Sequence, residues 1–140
     1  TGDPVRLSDG PAGPLVQASS SLPLLYAPVT LRGRVLVDGG LSEPVPVRAA
    51  RALGAQRVIA VDIAYRPYEQ PIPSLAGTPL HTVHILTDRL IAEQVKEADL
   101  AIRLDVHRFV GEKDGHLALI EAGERAVAER WSDIEALAKR

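Results

Sequence analysis

The chain has 140 residues, enough for one domain with a hydrophobic core and too few for two of ordinary size. Hydrophobic residues make up 46% of it, which argues against intrinsic disorder. Its 16 basic and 18 acidic residues give a net charge of −2, which argues against nucleic acid or an anionic membrane as an electrostatic partner. No apolar run reaches the roughly 20 residues of a membrane helix, so no transmembrane segment is expected. The lack of cysteine removes disulfides and Cys-ligated zinc and leaves the compartment open.

Thr1-Gly2-Asp3-Pro4 reads like the interior of a protein, so a processed product or an excised part is expected. Residues 1–13 are rich in Gly, Pro and Asp, with Val5-Arg6-Leu7 as a possible edge strand. Pro14 to Ser21 suits a short helix that ends before Pro23, and Leu24 to Val29 reads as an irregular, proline-broken connection. Arg34 to Val37 is a predicted strand, followed by Asp38-Gly39-Gly40. Val47 to Leu53 is a predicted helix stopped by Gly54. Arg57 to Ile63 is a continuous β-branched run that suits a strand buried on both faces. Strand, helix and strand within this stretch predict a right-handed βαβ unit.

Tyr65 to Thr78 is a predicted surface loop, with a mobile lid over Pro67 to Pro79 as the sharper alternative. From Pro79 to Ala98 the positions Leu80, Val83, His84, Thr87, Ile91, Val95 and Ala98 recur at spacings of three and four, which predicts a long amphipathic helix. Leu100 to Leu104 is a further short strand, and Asp114-Gly115 marks a turn. Ile120, Gly123, Val127, Trp131, Ile134 and Ala138 give the last helix a predicted buried stripe, with Trp131 in the core. Alternation of strands and helices indicates an α/β layered fold, in which ligands bind beyond the carboxyl ends of the strands. Asp38 and Asp62 are both predicted at such ends.

Three pieces are more specific. They are Gln17-Ala18-Ser19-Ser20-Ser21-Leu22-Pro23 with Tyr26-Ala27-Pro28-Val29, then Gly33 to Leu41 with Pro44-Val45-Pro46-Val47, then Ala49 to Ala55 with Val58 to Asp62. In this order and at these gaps they resemble the C-terminal half of the patatin-like phospholipase family, in particular its small bacterial members. Glu97 to Arg103 and Ile120 to Glu124 are similar to that family as well. The resemblance implies a layered αβα sandwich with a mainly parallel sheet, of which residues 1–140 supply the C-terminal portion.

It further implies a serine acyl hydrolase that cleaves lipid esters or phospholipids through a Ser-Asp dyad. Asp38 would be the catalytic base, with Gly39 and Gly40 supporting the motif by turning the backbone tightly. No metal or organic cofactor is implied. The family's Gly-x-Ser-x-Gly elbow has no counterpart here, and in the nearest local imitation, Ser8-Asp9-Gly10, Arg6 stands at the first glycine position. The nucleophile and oxyanion hole are therefore expected outside this chain, in a second chain or a missing N-terminal half, and the chain alone is expected to be inactive. A cytoplasmic or membrane-peripheral location is the matching expectation.

Other readings stand beside this one. Asp38 could simply cap a turn, and Asp62 is expected to be structural. A non-catalytic binding or assembly module built on the same fold is the alternative function. His81, His84, His107 or His116 could complete a triad, although His84 falls on the apolar stripe and His107 and His116 flank a polar loop. No His-Glu-x-x-His or paired ligand spacing points to a metal.

Overall fold

The computed structural model describes residues 2–63, 75–106, 109 and 115–139. Residues 65–74 of the expected loop, His107 and Asp114 lie outside them. Helix α1 (Ala12–Ser19) follows Pro11 and keeps Pro14 in its first turn, where a missing N–H breaks no intrahelical bond. Ser21, buried at its end, donates from Oγ to the Gln17 carbonyl at 2.7 Å. Val5 to Leu7 forms no strand; Arg6 instead reaches across to the Glu43 carboxylate at 3.1 Å.

Strands β1 (Val29–Leu31) and β2 (Arg34–Leu36) pair antiparallel, with Val29 opposite Leu36 and Leu31 opposite Arg34. Their two-residue loop has φ 53° at Arg32 and 73° at Gly33, the positive pair that a type I′ hairpin turn requires. Two expectations change here. The irregular connection ends in a strand at Val29, and β2 closes a hairpin with β1 instead of entering a parallel βαβ unit with the next strand. The cause is local. Gly33 adopts positive φ freely, and Arg32 is fixed there by Asp9, whose Oδ2 and carbonyl accept from Nη2 at 2.9 and 2.7 Å.

A 3₁₀ turn at Gly39–Leu41 leads to α2 (Val47–Ala52), which ends as predicted before Gly54, at φ 96°. Strand β3 (Ile59–Asp62) pairs in parallel with β4 (Leu100–Arg103), in the register Ile59–Leu100 to Asp62–Arg103. A parallel pair needs a long crossover, and α3 (Thr78–Gln94) with the 3₁₀ turn Val95–Glu97 lies within it. Pro79 sits in the first turn of α3, where its fixed φ suits helix entry. The predicted α3 stripe holds: Ile91 is buried, and Leu80, Val83, His84, Thr87, Val95 and Ala98 are half-buried.

The core gathers Val47, Val58 and Ala60, with Val45, Ala50, Ala55, Val95 and Ala98 packed against them. Together these residues form an α/β fold with two two-stranded sheets among the described residues. A layered sandwich would need a larger sheet than either pair. The 57–63 run is buried on one face only: Ala60 and Asp62 are enclosed, whereas Val61 is 50% and Ile63 61% exposed.

The C-terminal stripe is corrected too. The chain breaks at Arg130 between α4 (Gly115–Glu129) and α5 (Trp131–Ala138). Arg130 Nε pairs with Asp133 at 2.7 Å, and its Nη1 donates to the Ala101 carbonyl at 3.3 Å, which anchors the break on β4. Trp131 lies 54% exposed, not in the core, with its indole N–H on Glu135 Oε1 at 3.1 Å. Ile120 and Val127 of the same stripe are exposed as well.

Candidate functional site

Asp38 is the N-cap of the 3₁₀ turn that follows β2. Its backbone N–H donates to the Ser21 carbonyl at 2.9 Å, tying the end of β2 to the end of α1. Its Oδ1 accepts from the Gly40 N–H at 2.7 Å, and its carbonyl accepts from Leu41 at 3.3 Å. The carboxylate is thus aimed by its own turn, as an Asx cap is. Oδ2 accepts no hydrogen bond among the described residues, so one carboxylate oxygen is fixed while the other can take a proton.

The two glycines differ. A Cβ at Gly40 would lie 3.0 Å from Asp38 Oδ1, so the carboxylate would have to give way. A Cβ at Gly39 meets nothing within 4 Å, and neither residue has a positive φ. Close approach to the carboxylate, and not left-handed backbone, is what Gly40 provides. For Gly39 the described residues give no steric requirement.

Asp38 stands on the wall of a cavity of about 720 Å³ between α1 and β2. Its lining includes the apolar Leu7, Leu15, Val16, Val37 and Leu41 and, besides Asp38, the polar or charged Asp3, Ser19, Arg34 and Ser42. A cavity of this size with mixed apolar and charged lining can hold a small ligand that has both apolar and polar parts. Two ion pairs hold the N-terminal segment in place. Arg6 on Glu43 joins the N-terminal segment to the chain beyond Asp38, and Arg32 on Asp9 joins it to the hairpin. The Arg32 guanidinium keeps the Asp9 carboxyl below its usual range by direct hydrogen bonding. Ser8, Asp9 and Gly10 therefore belong to a hairpin clasp; Gly10 has φ 119°, and a Cβ there would sit 3.0 Å from Arg32 Nη2.

The remaining candidates are placed elsewhere. Asp62 is 1% exposed at the end of β3 and bound to Arg103, Oδ2 to Nε, at 2.9 Å. It joins the last register pair of the parallel strands, a structural use. His84 is half-buried on α3; burial pushes its pKa down, with the neighbouring His81 adding to the effect. His116 is exposed on α4. Among the described residues no cluster of His, Asp or Glu is spaced to hold a metal ion, and no helix is long and apolar enough to cross a membrane.

One residue was not anticipated from the sequence. Gln94, at the end of α3, accepts from the Val45 N–H at 3.1 Å and donates to the Ser42 carbonyl at 2.8 Å. A signal existed: Gln94 follows Ile91 by three and precedes Ala98 by four, so it is a polar side chain on an apolar stripe, where an amide needs partners.

Comparison with known proteins bears on the same region. Residues 4–51 match the family described as patatin-like phospholipase. Over 48 residues the chain is 42% identical to a protein named lysophospholipase NTE1 from Meyerozyma guilliermondii, a match covering 34% of this chain and 3% of that protein. It is 34% identical over 62 residues to an uncharacterized NTE family protein of Mycobacterium bovis, covering 44% of this chain and 17% of that one. A Mycobacterium tuberculosis NTE family protein matches with the same identity and coverage. The chain thus spans less than a fifth of the length of these relatives.

Proposed function

Since residues 4–51 place this chain in the patatin-like phospholipase family, we propose that Asp38 is the general base of a serine acyl hydrolase acting on lipid esters. The observation that carries this reading is the carboxylate's setting: Oδ1 pinned by the Gly40 N–H, at the wall of a cavity with both apolar and charged lining. A serine hydroxyl is a weak nucleophile until a base within hydrogen-bond reach takes its proton. Asp38 Oδ2 accepts that proton as the serine oxygen attacks the acyl carbonyl. The protonated Asp38 then returns it to the leaving alkoxide, which departs as the alcohol. In the second half-reaction Asp38 takes a proton from the water that attacks the acyl-enzyme and returns it to the departing serine oxygen, which frees the fatty acid and restores the base. Leu15, Val16, Val37 and Leu41 line the space next to the carboxylate in which the acyl chain lies. The serine and the oxyanion donors come from outside these 140 residues, from the rest of a longer protein or from a second chain.

On the same reading, β3 and β4 belong to a larger, mainly parallel sheet in a layered αβα sandwich, of which residues 1–140 are the C-terminal portion. The half-exposed face of Ile59, Val61 and Ile63 supports this, since such a β-branched row stabilises the fold only when covered. Asp38→Asn keeps the shape of the side chain and removes its basicity. In the full-length protein it should abolish ester hydrolysis while the cavity still binds a fatty-acid probe. Undiminished hydrolysis would instead favour the binding-module reading, in which Asp38 serves only to cap its turn.

A further inference from the structure

The turn that aims Asp38 is not held by local bonds alone. From Gly40 to Val47 the backbone N–H groups can be followed one by one. Gly40 donates to Asp38 Oδ1, Leu41 to the Asp38 carbonyl, Ser42 and Glu43 to the Gly39 carbonyl, and Val47 to the Val45 carbonyl. Pro44 and Pro46 have no N–H to place. Val45 is the exception in this stretch: its N–H is satisfied by a side chain 49 residues away, at Gln94. The same amide donates to the Ser42 carbonyl at the C-cap of the 3₁₀ turn.

We propose that Gln94 is a positioning residue for Asp38: its amide acts as a substitute strand edge that fixes the Gly39–Val45 turn to α3. This rests on the reading of Asp38 as the base. The chemistry fits an amide and no other side chain of its length, because one partner is a donor and the other an acceptor. Both bonds are half-buried, between Ile91, which is enclosed, and Val95, which packs on the Val47–Val58–Ala60 core. Gln94 therefore links the end of α3 to a turn whose contact with the core comes through Val45. Glu at this position keeps an acceptor for Val45 but loses the donor to Ser42; Ala loses both.

The test compares Gln94→Ala, Gln94→Glu and Asp38→Asn in the full-length protein, using backbone hydrogen exchange and steady-state hydrolysis of a p-nitrophenyl acyl ester. Gln94→Ala should speed exchange of the Gly40–Val45 amides about tenfold, the scale of one lost hydrogen bond, and leave β3 and β4 protected. It should lower kcat about tenfold with KM nearly unchanged, with Gln94→Glu in between. A purely structural role would lower the melting temperature and raise exchange throughout, without a selective fall in kcat. Should Gln94→Ala fail to fold, Gln94→Glu carries the same comparison. Unchanged exchange at Gly40–Val45 overturns the clamp. Unchanged kcat in a protein that Asp38→Asn inactivates overturns the positioning role. Faster local exchange with hydrolysis that Asp38→Asn leaves intact would sink the base assignment and keep the clamp.

Discussion

The two strand pairs are built on different principles. In β3–β4 the apolar residues come first. Val58, Ala60, Leu100 and Ile102 are buried, α2 supplies Val47 and the 3₁₀ turn after α3 supplies Val95, and polar groups close the ends of the pair. Asp99 does this at one end, taking the Val58 N–H at 2.8 Å and Arg51 at 2.6 Å, and Asp62 with Arg103 does it at the other. The β1–β2 hairpin and the turn after it invert the order. Val35 is 71% exposed, and the region is held by a type I′ turn, an Asx cap, two ion pairs and the Gln94 amide. A packed core tolerates little movement. A hydrogen-bonded turn at a cavity wall places one carboxylate while leaving space for a ligand, so under the proposed function stability and chemistry rest on different parts of the fold.

Mutations should separate the two. Ile102→Ala or Ile91→Ala removes a buried side chain and should cost about 2–5 kcal/mol, read as a lower denaturant midpoint across the whole molecule. Gly33→Ala meets no neighbour but forces a side chain onto φ 73°, so the cost should be about 1–2 kcal/mol, with faster exchange confined to β1 and β2. A global loss as large as that of Ile102→Ala would break the distinction. Gly40→Ala should leave the melting temperature nearly unchanged but displace the Asp38 carboxylate by a few tenths of an ångström, lowering kcat several-fold. Gly39→Ala, with open space at its Cβ, should cost less.

Acid should weaken the parallel pair. The Val58 N–H, then Arg51, hold the Asp99 carboxyl below its usual value. With the folded pKa depressed, the unfolded chain binds the extra proton. This contribution is therefore complete above the unfolded value, about 3.9, and is lost as pH falls through the lower folded one. Melting temperature followed from pH 6 down should show less of this acid loss in Asp99→Asn. The exposed Arg32–Asp9 pair should matter least: Asp9→Asn should shift hairpin exchange slightly, and less at high salt.

How much of this was legible in the sequence follows the same division. The stripe of α3 was readable because its periodic positions are buried or half-buried, with Val95 and Ala98 beyond its end packed on the core, and Gly54 was readable as a helix stop. The Asp38-Gly39-Gly40 run identified the carboxylate and its turn. The hairpin was missed because Arg32 is an uncommon residue for a positive φ, and only its distant partner Asp9 explains it. The C-terminal stripe misled because periodicity reports an apolar face and not what covers it; the break at Arg130 turns Trp131 outward. Gln94 was hidden for a related reason. Its place on an apolar stripe shows that the amide needs partners, but those partners are backbone groups that the sequence does not single out.

The central claim, that Asp38 is a base and not merely a cap, is tested most directly by single-turnover hydrolysis of an acyl ester by the full-length protein and its Asp38→Asn variant. The asparagine still accepts the Gly40 N–H, so the turn is preserved. The account predicts a loss of acylation rate of about 10²–10⁴-fold with melting temperature and ligand binding retained. Acylation at the parent rate in the folded variant would contradict it.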